Sequence, residues 1–213
     1  MGDQRKAAFD KARSLSEAEK ADEALEAIAE YTNVEAPEYT VDEMQTLNIC
    51  ITEKVTSAGF DDKKDACNQC IELLDGVKLM KDSLFLELYC ESVYEVFSKM
   101  SRAARDEERE QVWNKCKELF YELTLAAKKV WRDKNMPGGL AIYLNFAKLC
   151  KSYLDIADED SFKMCESMAQ EAKFLGKGQL EDEDWKDANK MIETIKKAIA
   201  DARHDKELID DSS

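Results

Sequence analysis

Histidine is almost missing from this chain of 213 residues: there is one, His204, close to the C-terminal end. Catalysis that relies on an imidazole near neutral pH, and the triads built around it, therefore have nothing to work with. Proline is nearly as scarce, with only Pro37 and Pro137, and there are seven glycines. An architecture of many short strands needs far more residues that tolerate turn geometry, so long helices are expected. No apolar run approaches the roughly 20 residues of a membrane-spanning helix. The N-terminus is charged where a signal peptide is apolar, so a cytoplasmic or nuclear location is expected. Basic residues are also in deficit, 31 against 46 acidic ones, for a net charge of −15. Such a chain repels phosphate backbones and anionic lipid, which argues against nucleic acid and membranes as partners.

Cysteine, by contrast, is plentiful but unpaired in pattern. The seven (Cys50, Cys67, Cys70, Cys90, Cys116, Cys150 and Cys165) are odd in number and sit in apolar periodic segments, which is the usage of a reducing compartment. Cys67-Asn-Gln-Cys70 has the spacing of redox and zinc pairs. It lies within a helical pattern (Ala66, Cys67, Cys70, Ile71, Leu74), with no second pair and no histidine to complete a tetrahedron, so packing is the expected role and no metal or cofactor is expected. Glu91 and Glu95 share a helix face at i, i+4 spacing, read as solvated surface. Trp113, Trp131, Trp185 and the Met164/Met168 pair are read as core or hairpin contacts.

Apolar residues recur at helical spacing almost throughout, as in Val112, Cys116, Leu119, Leu123, Ala126 and Val130. The pattern predicts nine helices, at roughly 3–18, 20–33, 40–59, 62–79, 83–104, 106–134, 139–156, 159–175 and 182–205. Thr40-Val-Asp-Glu43 is a capping box. Asp82, Asp158 and the acidic run from Glu181 to Asp184 place negative charge at helix N-termini, while Pro137-Gly138-Gly139 and Gly176-Lys177-Gly178 read as stops. Short connections predict antiparallel neighbours, hence an all-α layered array. One domain is expected over 1–205, followed by a short disordered acidic tail, 206–213, with Ser212 and Ser213 as candidate phosphorylation sites.

Three stretches carry a family resemblance. Thr40-Val-Asp-Glu-Met-Gln-Thr-Leu-Asn-Ile49, Gly139-Leu-Ala-Ile-Tyr-Leu-Asn-Phe146 and Trp185-Lys-Asp187 occur in the order of similar segments in 14-3-3 adaptor proteins. Ala66-Cys67-Asn68 with Leu73-Leu74 resembles the middle of that family's fourth helix, which implies that helices three and four are shortened by several turns. The resemblance implies a nine-helix adaptor without enzymatic activity that binds protein partners, in the family through phosphoserine or phosphothreonine held by a Lys, two Arg and a Tyr. Guanidinium forks suit that task because they pair bidentately with phosphate.

This sequence departs from that clamp. The helix-three Lys falls on Thr52 or Glu53, the helix-three Arg near Gly59, and the helix-five Arg-Tyr pair on Tyr94-Glu95. Asn145 and the groove residue Leu144 are retained, while Lys148 and Lys190 stand at apolar groove positions and Lys54 lies near the lost lysine. Two roles are open for these lysines: a relocated anion site, or solvated surface charge. Weak or altered phosphopeptide binding is expected, through Leu144, Asn145, Lys148, Lys190, Lys54 and Tyr94. The shortened helices carry much of the family's dimer surface, so a monomer or a differently built dimer is expected. The alternative is a structural helical-repeat scaffold for assembly without phosphate recognition.

Overall fold

A computed structural model describes residues 2–32 and 38–210. Its described residues form nine α-helices and no strand: α1 (Gly2–Glu17), α2 (Ala21–Thr32), α3 (Val41–Ser57), α4 (Lys63–Asp75), α5 (Ser83–Ala103), α6 (Asp106–Val130), α7 (Pro137–Ser152), α8 (Glu159–Leu175) and α9 (Asp182–Asp210). The all-α expectation holds, and α3 and α4 are short, with 17 and 13 residues. Among the described residues no helix is long and apolar enough to cross a membrane.

The local signals act as their chemistry requires. At α3 the Thr40 hydroxyl accepts from the Glu43 amide at 3.3 Å and the Glu43 carboxylate accepts from the Thr40 amide at 2.7 Å, closing the capping box. Arg5 of α1 then grips Glu43 with Nε and Nη2, both at 2.6 Å. Partial burial raises the Glu43 carboxyl, but Arg5 and Thr40 more than offset it and hold it below the usual range. Replacing Thr40 with alanine should lower the unfolding free energy by about 1 kcal/mol, read as a shifted urea midpoint at unchanged slope. Asp82 and Asp158 cap α5 and α8 by accepting from the Phe85 and Ser161 amides.

Pro137-Gly138-Gly139 behaves differently from its reading as a stop. α6 ends at Val130, and Pro137 opens α7, where its missing N–H costs no helical hydrogen bond. The expected tail differs too: α9 runs on through Asp210, so 206–210 are helical, and 211–213, with Ser212 and Ser213, lie outside the described residues. Within this extension Lys206 donates to the Ala157 carbonyl, with its ammonium 6.0 Å from the Phe162 ring centre. Pro37 also lies outside the described residues.

Where one domain is expected over 1–205, the chain divides into two compact units at Ala104/Arg105. In the first, the α1–α2 hairpin packs on α3, and α3 and α4 both pack on α5 around Phe9, Ile28, Leu47, Ile51, Phe85 and Phe97. Asn48 ties α3 to α5 by donating to the Leu88 carbonyl and the Ser92 hydroxyl at 2.9 and 3.0 Å. In the second, α7 packs on α6, α8 and α9 around Trp113, Phe120, Phe146, Tyr153 and Ile195. Arg109 bonds Asp155, Lys117 bonds Asp158, and Arg203 bonds both Glu159 and Glu166, stitching this unit together.

Candidate functional site

The retained segment at α7 is amphipathic in a way that fixes what it presents. Ile142, Tyr143, Phe146, Ala147, Leu149 and Cys150 are buried, so their helical spacing leaves Leu144 and Asn145 half-buried and Lys148 exposed on the opposite face. The Lys148 ammonium lies 3.5 Å from Asn145 Oδ1. α9 packs against α7 and buries Ile192 and Ile195, leaving Lys190 exposed. The second unit thus sets Leu144, Asn145 and Lys148 on one turn of α7, and Lys190 on the helix packed beside it. Toward the end of α7, Lys151 sits 4.0 and 3.9 Å from Asp201 and Asp205, so its charge is already matched.

Lys54 and Tyr94 belong to the first unit, on α3 and α5. Lys54 is paired with Asp22 of α2, and its side chain is only 14% exposed. It borders a recess of about 600 Å³ whose other charged walls include Glu19, Asp22, Glu23, Asp62 and Asp65. An anion gains little there, since the carboxylates outnumber the cations. Tyr94 is half-buried, and its neighbour Glu95 is held by Lys99 at 3.1 Å across one helical turn.

Of the seven arginines, four are engaged in contacts within their own unit. Arg5 is committed to Glu43 and the Glu38 carbonyl, Arg13 to Thr46, Arg109 to Asp155 and the Ser152 carbonyl, and Arg203 to Glu159 and Glu166. Cys67 and Cys70 are buried and free. Burial pushes their thiols up to about 11 and about 12, which keeps them protonated and unreactive near neutral pH. No group of three metal-ligating side chains occurs among the described residues. Of the tryptophans, Trp113 is core, Trp131 packs under Gly139, and Trp185 is half-buried at the start of α9.

One feature escapes the sequence reading: Phe174 and Leu175, at the end of α8, are 91% and 49% exposed beside a second recess. The available signal is their phase, because both fall off the stripe of Phe162, Cys165, Ala169 and Ala172 that α8 buries.

The fold and these surfaces define an all-α protein whose described surface offers helix faces and shallow recesses for binding. The family described as "Domain of unknown function (DUF7758)" matches residues 33–154, more than half of the chain, and the chain belongs to that family. The match runs from just before α3 to just past the end of α7, so it includes Lys54, Tyr94, Leu144, Asn145 and Lys148 but not Lys190 or Phe174. No curated protein matches the chain.

Proposed function

We propose that this protein is an adaptor related to the 14-3-3 proteins, binding peptide segments of protein partners without catalysis and with little dependence on phosphate. The observation that carries the reading is the α7 turn, where Leu144, Asn145 and Lys148 present an apolar, an amide and a cationic group together. Leu144 supplies apolar contact, Asn145 an amide able to fix a peptide backbone, and Lys148 with Lys190 a diffuse positive charge. Lysines act as hydrated point charges and select phosphate over carboxylate poorly, whereas a guanidinium cluster selects it well. Arg5, Arg13, Arg109 and Arg203 are each held within their own unit, which supports weak phosphate dependence. Seven buried cysteines, none of them in a disulfide, support a cytoplasmic placement.

A peptide array presenting each sequence with and without phosphoserine tests the reading. Phosphorylated and plain members of a pair should differ in affinity by less than about threefold, since no bidentate clamp discriminates them. The double variant Lys148→Glu with Lys190→Glu should weaken both alike, by about tenfold. Retention that requires the phosphate would overturn the lost-clamp reading. Binding of no peptide at all would favour the alternative of a structural helical scaffold.

A further inference from the structure

α6 buries one face and leaves the opposite one bare. Trp113, Cys116, Phe120, Leu123 and Ala127 are buried, and the helix packs on α7. On the other side, at helical spacing, Asn114, Glu118, Tyr121, Leu125 and Lys128 are all exposed, with Glu122 and Lys129 along the same edge. A single exposed apolar residue is ordinary. Tyr121 and Leu125, 59% and 39% exposed, stand instead as neighbours one turn apart in the middle of a long helix.

The order of charges along this face says what fits it. Glu118 precedes Tyr121, Glu122 follows at the edge, and Lys128 and Lys129 come after Leu125. Glu122, Lys128 and Lys129 make no ion pair among the described residues, and Glu118 meets Lys115 of its own helix at 3.3 Å while staying 68% exposed. A stripe that is acidic toward one end, apolar in the middle and basic toward the other is complementary to its own reversed copy. The midpoint of Tyr121 and Leu125 and that of Glu118 and Lys128 are the same residue, Leu123, so one two-fold axis there serves both pairs. Tyr121 of one copy then covers Leu125 of the other, and Glu118 comes opposite Lys128 and Lys129. A partner segment of one charge sign would match half of the stripe and be repelled by the rest. Antiparallel pairing also sets the helix dipoles in opposition, which is their favourable arrangement. The net charge of −15 on each copy works against association, but at about 0.1 M salt it is screened beyond about 10 Å, while the facing pairs lie closer than that.

We propose that the exposed face of α6 docks a second copy of this chain, with the two α6 helices antiparallel about an axis at Leu123. One helix against another covers less than the roughly 800 Å² per partner of a standard interface, so the dimer is weak and forms at high local concentration. The surface uses none of Leu144, Asn145, Lys148 and Lys190, so it is an addition to the proposed adaptor face. Pairing doubles that face, which adds avidity for a partner carrying two binding segments.

Sedimentation equilibrium of the full chain, from about 5 µM to about 1 mM at about 0.15 M salt, tests the assignment. The average mass should climb from that of the monomer toward twice that value. Leu125→Ser should raise the dissociation constant about tenfold, with far-UV circular dichroism unchanged because the side chain lies on the surface. A chain carrying Glu118→Lys with Glu122→Lys, and one carrying Lys128→Glu with Lys129→Glu, should each stay monomeric, since each stripe then has a single sign. Mixed in equal amounts, the two should associate at least tenfold more tightly than either does alone. Lys148→Glu with Lys190→Glu should leave self-association unaltered, which separates failure here from failure of the adaptor reading. A monomer throughout the range, a dimer that Leu125→Ser leaves intact, or charge-swapped chains that ignore each other on mixing would each overturn the proposal.

Discussion

Replacing Trp113 with alanine should lower the unfolding free energy by about 4 kcal/mol, the largest single effect expected anywhere in this protein. Trp113 is 1% exposed and lies at the centre of an aromatic column in the second unit. Its ring is stacked on Phe146 at 5.7 Å and on Tyr153 at 5.2 Å, and Phe146 in turn meets Phe120 at 4.9 Å. Arg109 caps the column from the outside, 4.9 Å from the Tyr153 ring centre, while bonding Asp155 at 2.8 and 2.9 Å. Truncation removes the ring contacts with Phe146 and Tyr153 and leaves a cavity between α6 and α7. Trp113→Phe should be much milder, at most about 1 kcal/mol, because the indole Nε1 is buried without a hydrogen-bond partner and its removal relieves an unpaired donor. Urea denaturation followed by circular dichroism reads both values. A loss below about 1 kcal/mol for the alanine variant would mean the column is not what holds this unit.

The second large effect is expected at Asp158, where one carboxylate serves two elements. Its Oδ1 caps α8, accepting from the Ser161 amide and hydroxyl at 2.8 Å each, and its Oδ2 accepts from Lys117 of α6 at 2.7 Å. Burial alone raises its pKa, but Lys117 and Ser161 outweigh it and bring the group down to about 2. Because the folded value lies below the unfolded value of about 3.9, the stabilisation is fully present above about pH 4 and is lost as pH falls toward about 2. The side chain is 40% exposed, so solvent screening limits the ion pair to about 1 kcal/mol, and the cap contributes a similar amount. Asp158→Ala should therefore cost about 2 kcal/mol at neutral pH. Asp158→Asn keeps a capping oxygen, should cost less than about 1 kcal/mol, and should flatten the stability profile between pH 4 and 2. Thermal unfolding across that range checks the sign, and a wild-type profile identical to that of Asp158→Asn would refute the linkage.

The first unit differs in what holds it. Lys54, which the sequence offers as a site lysine, closes a contact between α3 and α2 through Asp22, and Ser16 of α1 donates to Glu53 next to it. A lysine with so little exposed surface is a structural strut, while Lys148 and Lys190 remain on open helix faces. That contrast narrows the proposed anion-tolerant surface to α7 and α9. Binding there should follow salt concentration weakly, as two exposed lysines imply.

The amino-acid sequence by itself determined the helices and most of their ends. Apolar spacing, the Thr40/Glu43 box, the Asp82 and Asp158 caps and the glycines at 176 and 178 act through residues three or four apart, so they are readable without knowing the fold. Tertiary structure alone decided the rest. It divided the chain at Ala104/Arg105, set Lys206 of α9 on the Ala157 carbonyl, and matched Lys54 with Asp22, 32 residues away. Charge partners and exposed faces depend on which distant segments meet, and no local spacing encodes that meeting.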